Sequence, residues 1–191
     1  MKKLITVLIV LEMMFMMAKT AIADPFPNIK ANGSDGPITI TTRDTLSVTV
    51  ELNPMDFNNY NADYYVLAYC EGPTAMICTP EGNWYYYIYP NQWLAGDNFN
   101  PAYRGPLFNL PAFEVLQGSR FPVGTYEFYF LIAPHGDEYY YYDFVKVDIP
   151  LTCQDRCEAN WASCKLFCPP LHPSCKQRCL DEYQRCLNNC Q

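Results

Sequence analysis

Eight of the ten cysteines lie between Cys153 and Cys190, at positions 153, 157, 164, 168, 175, 179, 186 and 190. The unit is C-x3-C-x6, an eleven-residue step taken four times. Residues four apart sit on one face of a helix, one turn from each other, and eleven residues come close to three turns at about 3.6 residues per turn. The cysteines of each half therefore form one stripe. A single long helix cannot carry both halves, because Pro169, Pro170 and Pro173 remove backbone donors and turn the chain. The spacing predicts an antiparallel helical hairpin, about 152–168 and 174–190. In such a pair, facing residues share one sum of residue numbers. Cys153 with Cys190, Cys157 with Cys186, Cys164 with Cys179 and Cys168 with Cys175 all meet that condition. They are the expected rungs among the roughly 105 connectivities open to eight cysteines. Trp161 and Tyr183 fall in the widest gap and are the expected plug.

A staple is needed. Helices of about 16 residues are marginal alone in water, and few aliphatic residues line this seam. One isolated bridge contributes roughly 2–4 kcal/mol, and nested bridges share part of that. The same cysteines offer a rival role, since four C-x3-C pairs present thiolates to zinc or an iron–sulfur cluster. That would make the tail a redox or metal-handling device. Zinc pairs usually stand closer, as C-x2-C, no histidine sits at ligand spacing, and C-x-x-C-H does not occur. Structural disulfides are the expectation, with no cofactor. The tail resembles the α-hairpin class in which twin C-x3-C motifs are cross-bridged, which includes small defence peptides and protease inhibitors. The resemblance implies a third role, inhibition of a trypsin-like protease with Lys176 or Arg178 as bait.

The chain opens on Met1-Lys2-Lys3, then a mostly apolar run to Met17, then Ala21-Ile22-Ala23 before Asp24. This is the pattern of a secretory signal peptide over residues 1–23. Glu12 and Lys19 leave too short an apolar run for a membrane anchor, and no membrane span is expected in the mature chain. An even cysteine count fits an oxidising compartment, secreted, periplasmic or at the cell surface. Loss of three lysines and one glutamate with the leader takes the net charge from −7 to −9. Residues 24–150 hold five basic and fifteen acidic residues, while residues 151–191 hold five and four. So acidic a main domain argues against nucleic acid as a partner.

Residues 24–150 read as one β domain. Asp24 to Gly36 reads as a flexible entry. Ile38 and Ile40 alternate with threonines. Leu46, Val48, Val50 and Leu52 alternate with polar residues in a strict period of two, the mark of a half-buried strand. Strands are expected at Asp63–Cys70, Asn83–Tyr89, Gly124–Ala133 and Tyr139–Ile149, with Val145, Val147 and Ile149 facing inward. Residues 90–105 read as a long loop, and Pro106 to Val115 as short extended pieces around Pro111. Cys70 and Cys78 read as a local bridge. About seven strands without helical period indicate an Ig-like antiparallel β-sandwich, and about 127 residues suffice for one core.

Several segments carry a resemblance: Ala31-Asn32-Gly33-Ser34-Asp35-Gly36-Pro37, Asn61-Ala62-Asp63-Tyr64-Tyr65, Trp84-Tyr85, Gly105-Pro106-Leu107-Phe108, Phe113-Glu114-Val115-Leu116 and Pro122-Val123-Gly124-Thr125-Tyr126-Glu127-Phe128. Over about residues 31–149 the chain resembles a recurring β-sandwich domain of proteins secreted by sulfate-reducing and related environmental bacteria. The resemblance implies a secreted bacterial protein and supplies no catalytic residues. Its relatives often carry an Asp/Asn-rich, calcium-binding-like loop between the last two strands. Here that loop is only His135-Gly136-Asp137-Glu138.

No nucleophile elbow, zinc-protease motif or phosphate-cradling loop is present. The expectation is no enzyme and no catalytic residues. Asp137, Glu138 and Asp143 are weak calcium candidates, hard oxygen donors more simply read as a solvated turn. Sixteen tyrosines point elsewhere. A tyrosine face stacks on sugar rings or packs in protein interfaces. Tyr85, Tyr87, Tyr89, Trp93, Tyr139 and Tyr141 are the candidates for such a surface. The function expected is a non-enzymatic binding or surface-structural module with a glycan or protein partner.

Overall fold

The computed structural model describes residues 26–72, 78–169 and 172–190. The expected leader, residues 1–23, lies outside them. Ten strands form where the sequence marks about seven: β1 (Phe26–Ala31), β2 (Ile38–Thr39), β3 (Thr45–Asn53), β4 (Asn61–Glu71), β5 (Asn83–Ile88), β6 (Gln92–Ala95), β7 (Tyr103–Pro106), β8 (Leu110–Ser119), β9 (Gly124–Pro134) and β10 (Tyr141–Ile149). Two helices follow, α1 (Cys153–Phe167) and α2 (Pro173–Asn188). Among the described residues no helix is long and apolar enough to cross a membrane.

The strands form two sheets. One has the order β1-β3-β8; the other runs β2-β10-β9-β4-β5-β6, with β7 also paired to β4. Pairing is antiparallel apart from β2 beside β10. The long β4 serves two neighbours on one edge, β7 against its first half and β5 against its second. The period of two in β3 buries Leu46, Val48, Val50 and Leu52. They meet Tyr126, Phe128, Phe130 and Ile132 of β9 and Val145, Val147 and Ile149 of β10, all buried. The Tyr126 hydroxyl donates back to the Pro122 carbonyl at 2.8 Å and pins the corner before β9.

Three sequence expectations need correction. The supposed flexible entry contains β1, which pairs with β3 from Phe26↔Asn53 to Ala31↔Val48. The long loop 90–105 contains β6 and β7. The short pieces around Pro111 are one strand, β8. Pro111 sits in it without cost because β8 is the edge of its sheet and the register with β3 shifts between Val50 and Leu52.

The tail is the antiparallel hairpin, and its helix starts carry ordinary signals. Thr152 and Asp155 form a capping box at α1. Pro173 stands in the first turn of α2, where a missing N–H costs nothing. Cys157, Cys168 and Cys179 are the buried residues of the described tail. The hairpin core is thus made of sulfur, with one aromatic pair. Trp161 and Tyr183 stack at 4.9 Å in the gap, and Lys165 Nζ lies 3.5 Å from the Trp161 ring centre. Thr42 donates to Asp155 at 2.7 Å and Arg43 pairs with Glu158, tying α1 to the turn between β2 and β3.

Candidate binding surfaces

Four aromatic residues in a row, Trp84 to Tyr87, do not say which side of a strand faces the core. In β5 the neighbours decide. Pairing of β4 with β5 sets Leu67 opposite Tyr86 and Tyr69 opposite Trp84. Leu67 and Tyr69 alternate with Val66, Ala68 and Cys70, which belong to the core cluster. Trp84 and Tyr86 therefore stand on the outer face with Leu67 and Tyr69, and Tyr85 and Tyr87 turn inward. This reverses the expectation for the Tyr85–Tyr87–Tyr89 row. Tyr87 is 2% exposed, and its hydroxyl donates to the Pro90 carbonyl at 3.0 Å. Tyr85 packs against the core. Tyr89, just past the strand, is 64% exposed. Trp93 also packs inward, its indole N–H donating to the Val115 carbonyl at 3.0 Å. Tyr141 packs against the core, with its hydroxyl 3.0 Å from Asp137 Oδ2. Tyr139 stays 71% exposed.

The outer face of the larger sheet holds what the row at 85–89 does not. Phe144 lies opposite Tyr129, Tyr129 opposite Leu67, and Leu67 opposite Tyr86. Alongside runs Lys146 opposite Glu127, Glu127 opposite Tyr69, and Tyr69 opposite Trp84. Four strands at the usual spacing give each row a length of about 14 Å. The rings touch in sequence: Tyr69–Trp84 at 5.1 Å, Trp84–Tyr129 at 5.7 Å and Tyr129–Phe144 at 5.7 Å. Phe99 reaches over Trp84 at 5.5 Å. Phe144 is 48% exposed. Gly82 is required here. Its φ is +79°, and a Cβ would strike the Tyr69 ring, whose hydroxyl donates to the Glu81 carbonyl at 3.3 Å. Burial first, then the hydrogen bond donated to Glu127, pushes the Tyr129 phenol up to about 12.

Next to this face, Asp63 takes partners from β7 and from the turn after β9. Arg104 of β7 donates to it through Nε at 2.7 Å, and His135 Nε2 lies 3.0 Å from the same Oδ1. The Arg104 guanidinium holds the Asp63 carboxyl below its usual range. The arrangement clips β7 and the β9–β10 turn to β4.

Two of the three calcium candidates accept hydrogen bonds within the fold. Asp137 accepts from the Tyr139 N–H and the Tyr141 hydroxyl, and Asp143 accepts from the Ile29 N–H at 3.0 Å. Among the described residues, the clusters with metal-ligand spacing are Cys153–Cys157–Cys190 and Cys164–Cys168–Cys179, and neither includes Asp137, Glu138 or Asp143. Those cysteines are half-cystines. The structure bridges Cys153–Cys190, Cys157–Cys186, Cys164–Cys179 and Cys168–Cys175, with Cα separations of 5.6, 5.7, 5.8 and 5.7 Å. These match ordinary disulfide reach. Cys70 and Cys78 form the fifth bridge. A bridged sulfur is no thiolate, so metal binding here would first require reduction. Lys176 and Arg178 lie within α2, not on an extended loop of the kind a protease reads.

No family model, curated protein or solved structure matches this chain.

Proposed function

We propose that residues 24–191 form a secreted bacterial binding module, non-enzymatic, that holds a neutral glycan on the outer aromatic face of the larger sheet. The observation that carries this reading is the unbroken run of rings from Trp84 through Tyr129 to Phe144. Apolar ring faces stack on sugar faces, while polar tips keep hydrogen-bond partners. Glu127 stands among the rings, Lys146 and Asp148 border them on the same face, and all three suit sugar hydroxyls. A protein interface tends to exclude charge from its centre, and here Glu127 stands within the platform. The acidic main domain disfavours anionic glycans, which makes neutral ones the fit. Five bridges and the absence of a membrane-crossing helix among the described residues fit an oxidising, extracytoplasmic setting. The hairpin then serves as a stapled appendage.

The test is retention on an array of neutral oligosaccharides and on insoluble polysaccharides. Trp84→Ala is expected to weaken binding at least about tenfold, the loss of one ring–sugar stack. Tyr139→Ala, on an exposed turn, is expected to change nothing. Retention that ignores Trp84→Ala, or the lack of any retained glycan, would sink the reading.

A further inference from the structure

The two sheets do not close on each other everywhere. Between β8 on one side and β4, β5 and β7 on the other lies a cavity of about 360 Å3. Its floor is the core itself: Val50, Val66, Val115 and Phe130, each at most 4% exposed. Its rim is Tyr89, Tyr103 and Phe108, each at least 40% exposed. Tyr103 reaches its place by folding over Gly105, where a Cβ would strike its ring.

The chemistry of the wall is one-sided. Among the described residues, none that lines the cavity is charged. Tyr89 and Tyr103 bring hydroxyls at the rim; deeper in, those of Tyr64 and Tyr87 are both engaged. Tyr64 donates to the Pro106 carbonyl at 3.1 Å and Tyr87 to the Pro90 carbonyl at 3.0 Å. Water needs two to four polar partners to be held in a cavity, and these walls offer almost none. The volume lies at the lower end of ordinary small-molecule pockets, roughly 300–1,000 Å3.

The described residues begin and end away from it. Phe26, where the described chain starts, lies with Tyr140 and Asp143 at the β10 side of the sandwich. Cys190, where it stops, lies beside Thr41 and Arg43. The mouth opens beside β5 and β7, and its apolar wall fits an occupant without charge.

We propose that this inter-sheet cavity binds an uncharged small molecule with an apolar body, such as an acyl chain or a flat hydrocarbon. Any polar end stays at the rim between Tyr89 and Tyr103. The site is separate from the outer aromatic face and does not depend on the glycan reading.

The experiment uses the full mature chain and N-phenyl-1-naphthylamine, an uncharged probe that brightens in apolar surroundings. Saturable binding of one probe per chain is expected, with displacement by dodecanol. Ala102→Trp places an indole in the mouth and is expected to weaken the probe at least about tenfold, with Trp84→Ala within about twofold of the parent. Near-ultraviolet circular dichroism and intact mass check that each variant keeps its fold and five bridges. If Ala102→Trp does not fold, Leu110→Trp on the same lining carries the comparison. No saturable binding, binding that survives a folded mouth variant, or binding abolished by Trp84→Ala would each overturn the proposal.

Discussion

Removing one interior rung of the tail, by Cys164→Ala with Cys179→Ala, should cost about 2 kcal/mol. The figure follows from the ring sizes that the bridges close. The three inner rungs span sequence separations of 29, 15 and 7. Rung Cys164–Cys179 therefore divides one ring of about 22 residues into rings of about 14 and about 8, by differences of those separations. Alone, a bridge spanning 15 residues would be worth about 3 kcal/mol. With its neighbours intact, the chain regains only the freedom of merging two short rings, hence the smaller figure. Alanine keeps the change apolar at Cys179, which is 1% exposed. The assay is urea unfolding of the full mature chain, followed by the helix signal and by Trp161 fluorescence. A midpoint equal to the parent's would refute the ring argument. So would outright loss of both helices, or a mass map in which the six remaining tail cysteines pair differently.

Other outcomes can be checked with the same material. Full reduction should abolish the helix signal, because Cys157, Cys168 and Cys179 are the buried residues of the described tail. It should leave the sheet signal, because the larger core rests on Val, Ile and Phe side chains. Alkaline stability should fall as pH rises from about 10 through about 12. Burial and Glu127 raise the Tyr129 pKa in the folded state, so that contribution is complete below the unfolded value and lost above the folded one. Tyr129→Phe should make this limb shallower without removing it, because burial also raises the Tyr64 and Tyr126 phenols, in melting temperatures taken across that range. Phe130→Ala should cost roughly 3–5 kcal/mol, as a fully buried ring that floors the cavity; a loss under about 1 kcal/mol would mean that the site collapses freely.

The tail was legible because cysteine spacing is a discrete signal. A helix period, a proline break and a common sum leave little choice of register. The strands β3 and β10 were legible because apolar residues alternate with polar ones, and β9 because an aromatic and aliphatic run is bounded by Gly124 and Pro134. Elsewhere the information lies in partners, not in local pattern. β1 buries Pro27, Ile29 and Ala31 in alternation, but only Ile29 is a β-branched aliphatic, and its order comes from pairing with β3. β6 and β7 are four residues each, too short to show a period, and exist because β5 and β4 offer edges. In β5, Trp84, Tyr85, Tyr86 and Tyr87 are similar in bulk and polarity. Parity was readable but the inward side was not, so the platform of Trp84, Tyr129 and Phe144 went unmarked. The one cue was Tyr69 on β4, which carries the polar-capped ring of an outer face between the core residues Ala68 and Cys70.

Three tryptophans mark three regions of the chain. Trp84 lies on the outer face, Trp93 contacts the cavity-lining Tyr87 at 5.6 Å, and Trp161 stacks inside the hairpin. The most direct measurement is the set of indole N–H signals of the isotope-labelled mature chain, titrated with a neutral oligosaccharide retained on the array. The Trp84 signal is expected to move in a saturable way while those of Trp93 and Trp161 hold still. A fixed Trp84 signal, with either of the others moving in its place, would contradict it.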